Sequence, residues 1–183
     1  IDRLTQSIDV APTFLDLYGV VAPPQMEGRS LLRAHDRDGI IFGYFGGAVN
    51  VTDGHHTYHR FPADLSRQEI YQYTVMPTHL NRHFTPEELS AATLAKPFAW
   101  TKNVPLLKVP VIERSPMYNN YGPGALLESD TRLYDLATDP GQERPLADAT
   151  IEARMIERMR ELMIRNEAPP EAFQRLALAP GSI

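Results

Sequence analysis

The 183-residue chain contains no cysteine, which excludes disulfides, thiolate metal sites and cysteine nucleophiles together and says nothing of compartment. It also lacks any run of 18 apolar residues, so no membrane-spanning helix is expected. Its first residues, IDRLTQSIDVAPTF, have neither the basic start nor the apolar stretch of a signal peptide. Basic charge is short as well. Eighteen Lys and Arg against 23 Asp and Glu leave a formal net charge of -5, so neither nucleic acid nor an anionic membrane is an expected partner. No phosphate-binding loop is present, since Gly43, Gly46 and Gly47 are followed by no helix and no Walker lysine. There is no GxSxG. What remains is the composition of a soluble globular chain, 43% hydrophobic and 22% charged, sufficient for one domain or for one domain plus a docking segment. Sixteen prolines are spread along it and read as punctuation between short elements.

Ser7 to Gly19 reads as a helix, with Ser7 or Asp9 as N-cap, Pro12 in the first turn, Phe14, Leu15, Leu17 and Tyr18 as an apolar face and Gly19 as the stop. Ile1 is not an initiator residue and this helix arrives ready to pack on something, which suggests a fragment. Val20 to Leu32 is extended, with a turn at Gly28-Arg29-Ser30. Gly39 to Phe45 reads as a strand. Asp53-Gly54 then predicts a type I′ hairpin in which the strand ending at Thr52 pairs with one starting at His55. Ile70 to Met76 alternates as a third strand and Thr131 to Leu136 makes a fourth. The proline-rich stretch from Pro77 to Gly124 reads as long loop, apart from a helix over Pro86 to Leu94 capped by Thr85. After a turn at Asp139-Pro140-Gly141, Asp148 or Thr150 caps a helix carrying Ile151, Met155, Met159 and Leu162 on one face and mixed charges on the other. Pro169-Pro170 ends it, and Glu171 to Leu178 adds a short helix. The expected fold is therefore α+β: a small antiparallel sheet of about four strands covered by a C-terminal amphipathic helix and preceded by a short helix.

Histidine offers the densest chemistry. His55, His56 and His59 crowd beside Tyr58 and Arg60. On a strand, His55, Thr57 and His59 share one side while His56, Tyr58 and Arg60 take the other. His55 and His59 then stand roughly 13 Å apart, too far for one metal. Two readings stay open: packing at a wet hairpin edge, or donors from His56 or His59 with Arg60 to an anionic substrate group. The paired carboxylates read as structural. Asp36 and Asp38 sit in a charged turn, and Glu87 with Glu88 opens a helix where the dipole favours them. No complete catalytic constellation can be assembled from these residues.

Three segments carry a resemblance. In SIDVAPTFLDLYGVVAPPQMEGRSLL, Asp9, Pro12, Thr13, Asp16, Gly19, Gly28, Ser30 and Leu31 fit a D-x-x-P-T-x-x-D-x-x-G helix followed by a G-x-S-L turn. VTDGHHTYHRF fits a hairpin that usually reads Asp-Gly-Arg or Asp-Gly-Lys, with His55 in place of the base. TRLYDLATDPGQERPL matches L-Y-D-L-x-x-D-P-x-E through Leu133, Tyr134, Asp135, Leu136, Asp139, Pro140 and Glu143. Together they resemble the C-terminal part of a sulfatase of the formylglycine-dependent, alkaline-phosphatase-like type. The resemblance implies that residues 1–32 end the catalytic domain and that 33–183 form the C-terminal subdomain, with a subgroup insertion at about 77–124. It also implies a missing N-terminal catalytic domain as partner, and a sulfated small molecule or sugar as substrate. Formylglycine and calcium are implied for the parent enzyme alone, since this chain has no C/S-x-P-x-R motif and no catalytic residue is assigned in it. His55, His56, His59 and Arg60 are the substrate-binding candidates at the mouth. A superfamily phosphodiesterase or phosphonate hydrolase, and a non-catalytic module for anionic sugars, are the alternatives. Left without its partner, the helix near the N-terminus is expected to cause self-association into dimers, or to be disordered at this end.

Overall fold

A computed structural model describes residues 3–64, 68–116, 118 and 130–178. In chain order the elements are α1 (Val10–Leu17, entered through a 3-10 turn at Ser7–Asp9), β1 (Ile40–Gly43), β2 (Val49–Thr52), β3 (His56–Arg60), β4 (Tyr71–Thr74), α2 (Pro86–Ala91), β5 (Thr93–Ala95), β6 (Leu106–Pro110), β7 (Arg132–Asp135), α3 (Ala149–Arg165) and α4 (Pro170–Arg175). The class is α+β, as expected. An open antiparallel sheet runs in the order β1-β2-β3-β7, and a second one in the order β4-β6-β5.

The core follows from strand alternation meeting helix periodicity. Register aligns Ile41 with Val51, Val51 with Tyr58 and Tyr58 with Leu133 across one face of the first sheet. Met155, Met159, Leu162 and Met163 of α3 cover that row, and Phe173, Leu176 and Leu178 close its end. Asp148 starts α3 by accepting the Thr150 and Ile151 amides at 2.9 and 3.0 Å. The charged face of α3 is less free than its pattern implied: Arg154 reaches Asp53 and Arg158 reaches Asp38, each at 2.5 Å. Asp38 stays 56% exposed in its charged turn while making this ion pair.

Two expectations need correction. Ile70 to Met76 does supply a strand, but β4 enters the second sheet, and the fourth strand of the first sheet is β7. The stretch 77–124 is not loop around one helix. α2 stops at Ala91, and β5 and β6 follow it, with β6 central and pairing Leu107 to both Thr74 and Leu94. Leu106 and Val109 of β6 are buried, yet the four residues between Pro105 and Pro110 are too few for a periodicity signal. Their partners lie far away in sequence. Residues 117 and 119–124 of this stretch fall outside the described residues.

The N-terminal motif forms a tight framework. The Asp9 carboxylate is fully buried and caps nothing in α1. It accepts both terminal nitrogens of Arg37 at 2.5 Å and the amides of Gln6 and Arg29 at 2.8 Å. Thr13 Oγ1 donates to the Asp9 carbonyl and accepts the Leu31 amide. Asp16 accepts Ser30 Oγ at 2.7 Å and the Arg33 guanidinium. Gly28 is required by close approach, since a Cβ there would lie 2.0 Å from the Ile8 carbonyl oxygen. The opposite face of α1 is left bare: Val10, Phe14, Leu17 and Tyr18 are exposed.

Candidate functional site

The β2–β3 hairpin is present, with a register that differs from the type I′ expectation. Thr52 pairs with Thr57, so Asp53 and His56 flank a two-residue turn of Gly54 and His55. Gly54 occupies the first central position at φ +89°, the requirement of a II′-class turn. The reason lies in Asp53, whose Oδ1 accepts the amides of His55 and His56 at 2.9 and 2.7 Å while Oδ2 takes Arg154. That geometry makes Asp53 a strand-end anchor instead of a turn centre. Burial works to raise the Asp53 carboxyl, but the His56 amide, the Arg154 guanidinium and the His55 amide outweigh it and hold the group below its ordinary value.

The four residues singled out at this hairpin do not converge. His55 stands exposed at the turn, its carbonyl accepting the Leu136 amide at 2.8 Å. His56 lies on the α3 side, with Nδ1 3.1 Å from the Arg154 guanidinium. Nδ1 is therefore the acceptor, which leaves the proton on Nε2. Arg60 shares that side, but its donors are taken by the Leu176 carbonyl at 2.9 Å and the Tyr58 hydroxyl at 3.0 Å. Its position ties the end of α4 to the sheet. His59 points from the opposite face, where Nε2 meets Gln142 Oε1 at 2.9 Å and the ring packs edge-on against Phe42 and Tyr134. Alternation predicted this split of faces; the partners come from distant segments.

The hairpin and the L-Y-D-L segment are nevertheless neighbours, because β3 pairs with β7. Leu133 and Tyr134 are buried there. Asp135 accepts the Ala137 amide and the Thr138 hydroxyl, and Asp139 accepts the Arg144 amide at 2.8 Å. These bonds hold both carboxyls below their ordinary range, Asp135 chiefly through Thr138 and Asp139 chiefly through the Arg144 amide. The motif's acidic residues are thus turn builders.

A buried polar cluster escaped the sequence reading. Glu88 and His79 are 0% and 7% exposed, with His79 Nε2 3.1 Å from both Glu88 oxygens and Nδ1 3.1 Å from Gln72 Oε1. Glu88 also closes the Thr85 capping box. Burial pushes its carboxyl up, and bonds from Ser115, the Thr85 amide and His79 bring it below the ordinary value. The T-x-x-E spacing was legible as a cap; the histidine partner was not. Sealed from solvent, the cluster knits β4, α2 and the segment after β6 together.

Among the described residues no group of three or more His, Asp or Glu side chains is arranged to hold a metal. No described helix is long and apolar enough to cross a membrane. A scan against protein-family models finds no match, and no curated protein matches the sequence.

Proposed function

We propose that this chain is the C-terminal part of a sulfuric ester hydrolase of the alkaline-phosphatase-like superfamily. It completes the fold and shapes the substrate mouth, and it is inactive alone. One observation carries the reading: the residues of the first and third motif segments have specific framework roles instead of lying on an indifferent surface. Asp9, Thr13 and Asp16 bind the G-x-S-L turn through the Arg29 amide, the Leu31 amide and Ser30 Oγ. The L-Y-D-L strand lies beside the Asp-Gly hairpin.

Cleaving a sulfate ester takes a strong nucleophile, a cation at the developing charge and a positioned proton donor. The contribution of this chain is a wall. Within the mouth, the exposed imidazole of His55 is the portion of the hairpin set open to an anionic substrate, while His56 is engaged by Arg154. Arg60 serves the fold. Formylglycine and calcium belong to polypeptide outside the 183 residues.

The test pairs the gene sequence upstream of Ile1 with an aryl sulfate assay. A C/S-x-P-x-R motif is expected there, with hydrolysis by the extended product and none by the 183-residue chain. Turnover by the 183 residues unaided, or an upstream threonine with a two-metal ligand set, overturns the proposal, the second in favour of a phosphodiesterase or phosphonate hydrolase.

A further inference from the structure

A groove of about 450 Å³ separates the second sheet from the elbow between α3 and α4, a volume within the 300–1,000 Å³ typical of small-ligand sites. Its walls are Tyr73, Phe98, Ile164, Pro169, Pro170 and Phe173. They exist because two chain reversals meet here. Phe98 follows β5 and packs edge-on to Tyr73 with ring centroids 5.4 Å apart, while Glu167 at φ 54° ends α3 so that Pro170 can open α4.

The polar groups around the groove are spoken for, with one exception. The Tyr73 hydroxyl donates to Glu171, and the charge of Glu171 is met by Lys108 at 2.8 Å. The Glu167 carboxylate accepts the Ala99 amide at 2.8 Å. Lys96, on the same rim, makes no hydrogen bond or ion pair with another described residue. An apolar, ring-lined slot with a single unpaired ammonium at its edge is complementary to an apolar body carrying one negative charge.

We propose that this groove binds a biaryl monoanion of the carboxylate class, its rings against Phe98 and the Pro169-Pro170 wall and its charged group on Lys96 Nζ. This site is distinct from the β2–β3 hairpin and does not depend on the sulfuric ester reading.

The chain's single tryptophan makes the test direct. Trp100 stacks on Phe98 with centroids 5.4 Å apart and planes within 6°, so occupancy of the groove perturbs its fluorescence. The 183-residue chain is titrated with biphenyl-4-carboxylate and with its neutral isostere biphenyl-4-carboxamide, excited at the red edge of the tryptophan band. The carboxylate is expected to saturate and to bind about 2- to 5-fold more tightly than the carboxamide, the range of an exposed ion pair. Lys96→Met, which keeps the apolar stem, erases that difference. Ile164→Glu, at a wall position already 41% exposed, weakens carboxylate binding at least about tenfold by crowding and like-charge repulsion. Circular dichroism verifies the fold of each variant. Absence of a saturable response, equal binding of the two probes to the parent chain, a preference that survives Lys96→Met, or full carboxylate binding by folded Ile164→Glu overturns the proposal.

Discussion

At the residue scale, Asp9 shows how a motif position can be legible in identity and hidden in role. Its place ahead of a helix suggested a cap, but Arg37, 28 residues on, claims the carboxylate. Sequence spacing holds no record of that contact. Side chains of the pair are 0% and 7% exposed, so each charge depends on the other for solvation. The Arg37 guanidinium, resisted by burial and helped by the Arg29 and Gln6 amides, holds the Asp9 carboxyl far below its ordinary range. Asp9→Ala strands a buried guanidinium and is expected to cost about 3–5 kcal/mol of unfolding free energy in denaturant titrations. Adding Arg37→Met to it should recover part of that loss, because the unpaired charge is gone. A cost below about 1 kcal/mol for Asp9→Ala would place the pair in a solvated setting instead.

Elements fared differently according to whether their signals were local. α3 was readable from its cap and from Met155 and Met159 four residues apart, and β7 fell inside the strand expected over Thr131 to Leu136. The hairpin was readable too, but its turn moved by one residue because the Asp53 side chain competes for the amides that a I′ turn would leave free. β5 and β6 were invisible, since each is defined by a partner and not by a pattern. α1 presents the reverse problem. Its buried side is polar, through Asp9, Thr13 and Asp16, while Val10, Phe14 and Leu17 form a stripe at helical spacing that nothing within the described residues covers. Such a stripe, extended by Tyr18 at 82% exposure, favours association. Light scattering of the 183-residue chain should therefore show a concentration-dependent rise in mass that Phe14→Glu abolishes without loss of helix content. A monomer at every concentration would mean the stripe is too weakly apolar to drive contact.

For the whole molecule, acid is the informative variable. Asp9, Asp53, Glu88, Asp135, Asp139 and Glu171 all sit below their ordinary carboxyl values, and Asp16 is lowered to about 2 by Arg33 and Ser30. A carboxyl with a depressed folded-state pKa contributes stability that is complete above its unfolded value and is lost as pH falls toward the folded one. With unfolded values near about 4, Tm should hold steady above roughly pH 5 and fall progressively below it. Calorimetry between pH 7 and pH 2.5 reads this directly, and a Tm unchanged at pH 3 would contradict it. Asp135 and Asp139 build local turns; the others include carboxylates that join parts that sequence keeps apart: α1 to the segment before β1, the hairpin to α3, and α4 to the second sheet through Glu171 and Lys108.

The division of information follows from that arrangement. Composition, caps, turn residues and apolar periodicity act over a few neighbouring residues, and they were enough to determine an α+β chain, the presence of α3 and its buried face, the presence of a hairpin and the split of its histidines between two faces. Only the tertiary structure decided that Ile70 to Met76 joins a different sheet, that Glu88 meets His79, that Arg60 is consumed by the end of α4 and that Lys96 overlooks an aromatic groove. Each of these is an arrangement of segments distant in sequence, settled only once the core has closed, and no local pattern encodes it.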